Sequence, residues 1–145
     1  MKIIAVPILL SLITVSCSGK TKKNEGPAYC KCLKNQVCKK GKCSGIGYIS
    51  AFELKKSLEK KDFVLINVLD FDVGTIPQTD AKISFNDRTG FLKFLGQDKE
   101  RKIIVYCRTV PKATRAAKLL VQEEYSNVII LEGGITAWKK LNSGH

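Results

Sequence analysis

From residue 46 to the C-terminus, apolar runs of strand length alternate with stretches whose apolar positions recur at helical spacing. The run "FVLINV" (63–68) is continuous and apolar, the pattern of a strand buried on both faces. "KIIVY" (102–106) and "NVIIL" (127–131) repeat it. "SAFELKKSLEK" (50–60) opens with Ser50 three residues before Glu53, the spacing of a capping box, and puts Phe52, Leu54 and Leu58 on one face. "DRTGFLKFL" (87–95) predicts a short helix, and "ATRAAKLLVQEE" (113–124) one with Ala116, Leu119 and Leu120 facing in. "ITAWKKL" (135–141) predicts the last helix, while "DFDVGTIPQTDAK" (70–82) is a long connection with Gly74, Pro77 and Asp80 as turn residues. Strands alternating with helices predict an α/β layer structure with parallel pairing. No internal repeat is visible.

The first 45 residues follow different rules. "MKIIAVPILLSLITVSC" has one charge, Lys2, then an apolar and small-residue run that ends at Ser16. That run is short of the ~20 residues needed to span a bilayer but fits the apolar region of a secretory signal. Cys17 after a small residue resembles a bacterial lipobox, whose cysteine is acylated and becomes the mature N-terminus; Thr14 stands where leucine is commonest. The competing view is a plain cleaved signal with Cys17 incidental. Both predict export, and a lipidated Cys17 predicts a bacterial cell-envelope protein tethered to a membrane on its periplasmic or surface side. The expected partition is a signal peptide (1–16), a basic lipid-anchored linker (17–29), a cysteine-rich module (30–43) and an α/β domain (46–145).

Charge concentrates in the linker. Of the net +12, residues 18–45 hold eight lysines against one glutamate, whereas residues 46–145 hold 16 basic and 12 acidic groups. A polybasic stalk suits anionic lipid headgroups or simply a solvated linker. No nucleic-acid partner is expected, because no binding motif or interleaving of aromatic residues accompanies the charge.

"YCKCLKNQVCKKGKC" holds Cys30, Cys32, Cys38 and Cys43. In an oxidising compartment such a group predicts two disulfides, and about fifteen residues cannot build a core without staples. Zinc is the rival ligand, although C-x-C is unusual for its tetrahedral sites. The three pairings cannot be ranked from spacing.

Cys107 remains. It falls where a buried strand gives way to a helix, the end of an α/β sheet at which ligands bind. Loop amides, the helix N-terminus, Arg108 and Lys112 would all favour a thiolate there. A buried structural cysteine is the alternative, but it needs no flanking cations.

Together "VYCRT", the cationic loop that follows, "RAAKLL", "NVIILEGGITAWKK", "VLINV" and "GTIPQTD" resemble the rhodanese-like sulfurtransferases over about residues 48–141. The resemblance implies a three-layer α/β/α domain around a mostly parallel five-stranded sheet. It also implies that Cys107 carries sulfane sulfur as a persulfide, taken from a small anionic donor such as thiosulfate and passed to a thiol or a cyanide-like acceptor. Arg108, Thr109, Val110 and Lys112 would form the substrate-binding loop; no metal or organic cofactor is implied. Related phosphatases carry arginine six residues after the cysteine, where this chain has Ala113.

The departures point toward a second function, a degenerate fold serving as a protein-binding module. Active loops commonly have glycine at the position of Val110, and Pro111 lacks an N–H, so both are expected to work against a backbone cradle for sulfur. Asn67 and Leu69 stand where the family often has aspartate and arginine, and Thr75 where it often has histidine; some single-domain members share the asparagine. A third option, thiol exchange at Cys107, has no second cysteine in the domain to resolve it.

Overall fold

The computed structural model describes the backbone of residues 35–39 and 42–144, and side chains at 35, 36 and 45–144. Cys17, Cys30, Cys32 and the whole signal segment lie outside the described residues.

Along the chain the elements are β1 (Val37–Lys39), β2 (Lys42–Ile49), α1 (Ala51–Ser57, continued as a 3₁₀ turn over Leu58–Lys60), β3 (Val64–Asn67), β4 (Ala81–Lys82), α2 (Arg88–Leu95), β5 (Ile103–Tyr106), α3 (Pro111–Gln122), β6 (Asn127–Leu131) and α4 (Gly134–Asn142). The sheet runs β1-β2-β6-β5-β3-β4. Five strands are parallel, and β1 adds an antiparallel edge to β2 with Cys38 opposite Cys43.

Two apolar clusters show the three layers. On one face Ile66, Val105, Val128 and Ile130 pack against Phe91 and Leu95 of α2 and Ala113, Ala116 and Leu120 of α3. On the other, Leu65, Ile104, Ile129 and Leu131 pack against Leu54 of α1 and Ile135 and Trp138 of α4. Neighbouring strand residues face opposite layers, which is why these strands read as unbroken apolar runs. Each fully buried isoleucine or leucine contributes ~1.5–3 kcal/mol to holding the layers together.

The α1 capping box is present: Glu53 N donates to Ser50 Oγ at 3.2 Å, and Ser50 N donates to Glu53 Oε2 at 3.0 Å. Only Leu54 of that helix is buried; Phe52 is 55 % exposed and lies under Lys56, so it belongs to the surface and not to the expected inward face. β2 and β4 had no signal in the apolar pattern. Gly45 and Gly47 interrupt the first, and the second has two residues.

Candidate functional site

The site is built where β5 ends. Val105 and Tyr106 are fully buried between their neighbours, Cys107 follows with 2 % exposure, and Arg108 and Thr109 emerge into solvent. Cys107 is the free thiol among the described side chains. Helix α3 then starts at Pro111, two residues before the apolar periodicity predicts.

That earlier start gives Pro111 a place and corrects the expectation for Val110. Pro111 occupies the first helical position, where an N–H would have no helical partner and a fixed φ is preorganised. Val110 is the residue before the helix, at φ −141° and ψ −35°, outside the left-handed region that would favour glycine. Val110 therefore carries none of the left-handed strain expected for it, while Pro111, well placed for the helix, still offers no N–H to the loop.

The opposite wall of the loop is the start of α4. Its N-cap residue is Gly133, which has no side chain to satisfy the first amides of the helix. Those amides go to the loop instead. Ile135 N donates to the Cys107 carbonyl at 2.9 Å and Thr136 N to the Arg108 carbonyl at 3.1 Å. Thr136 Oγ1 donates to that same Arg108 oxygen at 2.8 Å. Gly134 permits the approach: at φ +57°, a Cβ there would clash with the carbonyl oxygens of Cys107 and Thr109 and lie 2.8 Å from the Arg108 carbonyl carbon.

These contacts orient the loop. No peptide bond among the described residues is cis, so each carbonyl turned toward α4 sends the next N–H the opposite way. With the Cys107, Arg108 and Thr109 oxygens all facing α4, the amides of Arg108, Thr109 and Val110 line the far side. Among the described residues no acceptor bonds any of the three. Consecutive amides on one side of a loop form a nest for an anion.

Lys112 has a partner that its place in the sequence did not disclose. Its Nζ donates to Asp70 Oδ2 at 2.7 Å, and its charge sits 5.1 Å from the Phe71 ring centre and 5.0 Å from that of Phe85. Ser84 also donates to Asp70. The Lys112 ammonium, then the Ser84 hydroxyl, hold the Asp70 carboxyl below the ordinary aspartate range. The pair ties the segment after β3 to the first turn of α3.

The "GTIPQTD" segment is a clamp on the sheet. Ile76 is buried and its N–H donates to Tyr106 Oη at 3.1 Å, while Thr79 Oγ1 lies 2.9 Å from the same oxygen. Leu65 N donates to Asp80 Oδ2 at 2.7 Å. Asn67 is buried and accepts from Leu69 N at 3.1 Å, turning the chain out of β3 so that Leu69 enters the core where the family often has arginine. Thr75 is exposed. Ala113 is buried in the first turn of α3 and supplies no charge.

A doubly covered parallel sheet with a buried free cysteine at the strand-to-helix turn, followed by three amides that no acceptor bonds among the described residues, defines an α/β protein with a single-thiol site. The Rhodanese-like domain model matches residues 50–141, and the chain belongs to that family. It is 25 % identical over 101 residues to the thiosulfate sulfurtransferase GlpE of Shewanella oneidensis, covering 69 % of this chain and 99 % of that one. The rhodanese-like domain of Alr3790 from Anabaena shares 27 % identity at a TM-score of 0.58, over 65 % of this chain and 74 % of the other. A rhodanese-related protein of Thermoplasma volcanium, at 22 % identity and a TM-score of 0.53 over 68 % and 93 %, shares the fold.

Proposed function

We propose that this chain is a sulfurtransferase or sulfur carrier that forms a persulfide on Cys107. The Cys107 thiolate attacks the outer sulfur of a thiosulfate-type donor; the donor's S–S bond breaks and sulfite leaves with the electron pair. Cys107 then holds the new S–S⁻ group. A thiolate or cyanide acceptor attacks that outer sulfur, and Cys107 departs as thiolate. Atoms and electrons balance without a further oxidant or reductant. The observation that carries this reading is the row of three amides, from Arg108, Thr109 and Val110, turned to one side of the loop next to Cys107. Arg108 is an exposed cation at the same place, and the activity named for the Shewanella relative agrees. Ala113, where related phosphatases carry arginine, favours sulfur over phosphate transfer.

The test is sulfur transfer from thiosulfate to cyanide by the wild type and Cys107→Ser. Transfer lost in the variant with unfolding unchanged supports the assignment; equal transfer in both rejects it. A second reading, a binding module without turnover, has the Asp70–Lys112 pair in its favour, because that pair occupies a cation otherwise open to an anionic donor. In that case the domain and the cysteine-rich segment would contact a protein partner together.

Export and anchoring at a membrane through acylated Cys17 complete the proposal, resting on the N-terminal sequence. Loss of membrane fractionation in Cys17→Ser is the expected result. The two-disulfide reading of Cys30, Cys32, Cys38 and Cys43 belongs to the same proposal and rests on their spacing and on export.

A further inference from the structure

We propose that Thr136 is a positioning residue for the sulfur carried at Cys107, acting through the Arg108 carbonyl. The inference rests on the sulfur-carrying reading for one of its readouts only. Arg108 and Thr109 are exposed and Val110 is half-buried, so side-chain packing does little to fix the peptide planes between them. What fixes the Arg108–Thr109 plane is its oxygen, held by Thr136 N at 3.1 Å and Thr136 Oγ1 at 2.8 Å. Two donors of one residue on that oxygen limit rotation of the plane, and with it the direction of the Thr109 N–H. Among the described residues the neighbouring Cys107–Arg108 plane has only Ile135 N on its oxygen. Thr109 N–H is the middle one of the three amides, so the hydroxyl steadies the centre of the nest.

A merely structural role does not account for this hydroxyl. Thr136 is exposed, lies outside both apolar clusters, and makes no other side-chain hydrogen bond among the described residues. At the third position of α4 it reaches away from its own helix to another loop instead of capping locally.

The experiment compares wild type, Thr136→Val and Thr136→Ser in the full chain. Valine keeps the shape and the backbone donor; serine keeps the hydroxyl. Three quantities are measured: the pH profile of Cys107 alkylation by iodoacetamide, the rate of sulfur loading from thiosulfate, and the thermal midpoint. In Thr136→Val, loading slows about fivefold, equal to ~1 kcal/mol at 1.36 kcal/mol per tenfold. The alkylation half-plateau moves to higher pH while the thermal midpoint stays within a few degrees. Thr136→Ser restores both rates. An unchanged alkylation profile in Thr136→Val, or a serine variant as impaired as the valine one, overturns the proposal. If the wild type takes no sulfur from any donor, the sulfur-carrying reading fails, and the alkylation profiles still decide the role of Thr136.

Discussion

Two glycines with positive φ separate strain from close approach. Gly134 has φ +57° and Gly96 has φ +68° with ψ −149°, so alanine at either takes a backbone conformation that L side chains rarely adopt, at ~1–3 kcal/mol. A Cβ on Gly96 meets nothing within 4 Å. On Gly134 it would collide with the carbonyls of Cys107 and Thr109 and lie 2.8 Å from the Arg108 carbonyl carbon, all of them backbone atoms that cannot swing aside. Overpacking of that kind adds ~1–3 kcal/mol. Gly134→Ala is therefore expected to cost ~2–6 kcal/mol and Gly96→Ala only the strain of ~1–3 kcal/mol. For a domain of this size the difference lowers the thermal midpoint by roughly 10 °C. Trp138, the chain's one tryptophan, sits in α4 one turn from Gly134 and is largely buried, so its fluorescence in a urea titration reports both variants. Gly134→Ala should also lose sulfur loading, because α4 could no longer hold the loop carbonyls. Equal midpoints for the two variants would refute the claim that α4 is pressed against the Cys107 loop.

Three other expectations follow from single contacts. Tyr106→Phe leaves the buried Ile76 N–H without its acceptor and should cost ~1–3 kcal/mol by denaturant titration; a loss indistinguishable from zero would mean the clamp is replaced by other contacts. Asp70→Asn removes the carboxylate that occupies Lys112, so Cys107 should react relatively faster with anionic iodoacetate than with neutral iodoacetamide, and the KM for thiosulfate should fall. An unchanged reagent ratio would place Lys112 outside the field felt at the thiol. Arg88 holds the Glu123 carboxyl below its ordinary range through a charge-assisted hydrogen bond. A depressed folded-state value means stability is present above the ordinary carboxylate range and is lost as pH falls through the depressed value. Glu123→Gln should thus be less stable at neutral pH and lose less on acidification, so the two stability curves converge at low pH; parallel curves would contradict this.

The layer order and the place of Cys107 were legible because β3, β5 and β6 are buried on both faces and show it as unbroken apolar runs. β2 was not legible, since Gly45 and Gly47 replace the side chains that would have marked it, yet it pairs with β6 over five residues. The sequence also overstated the backbone strain at Val110, because the helix start could not be placed to the residue. Thr136 and Asp70 were missed for a common reason: each acts on a partner 28 or 42 residues away. A signal for the first did exist. A helix opening on Gly133-Gly134 has no capping side chain, so its first amides had to find acceptors elsewhere, and the Cys107 loop supplies them.

The most direct measurement is the intact mass of residues 18–145, with Cys107 reduced, before and after exposure to thiosulfate. The expected result is a gain of one sulfur atom that cyanide removes and that Cys107→Ser does not acquire. No gain from thiosulfate or any other sulfane donor, with the thiol shown to be free, would contradict the persulfide and leave the fold as a binding module.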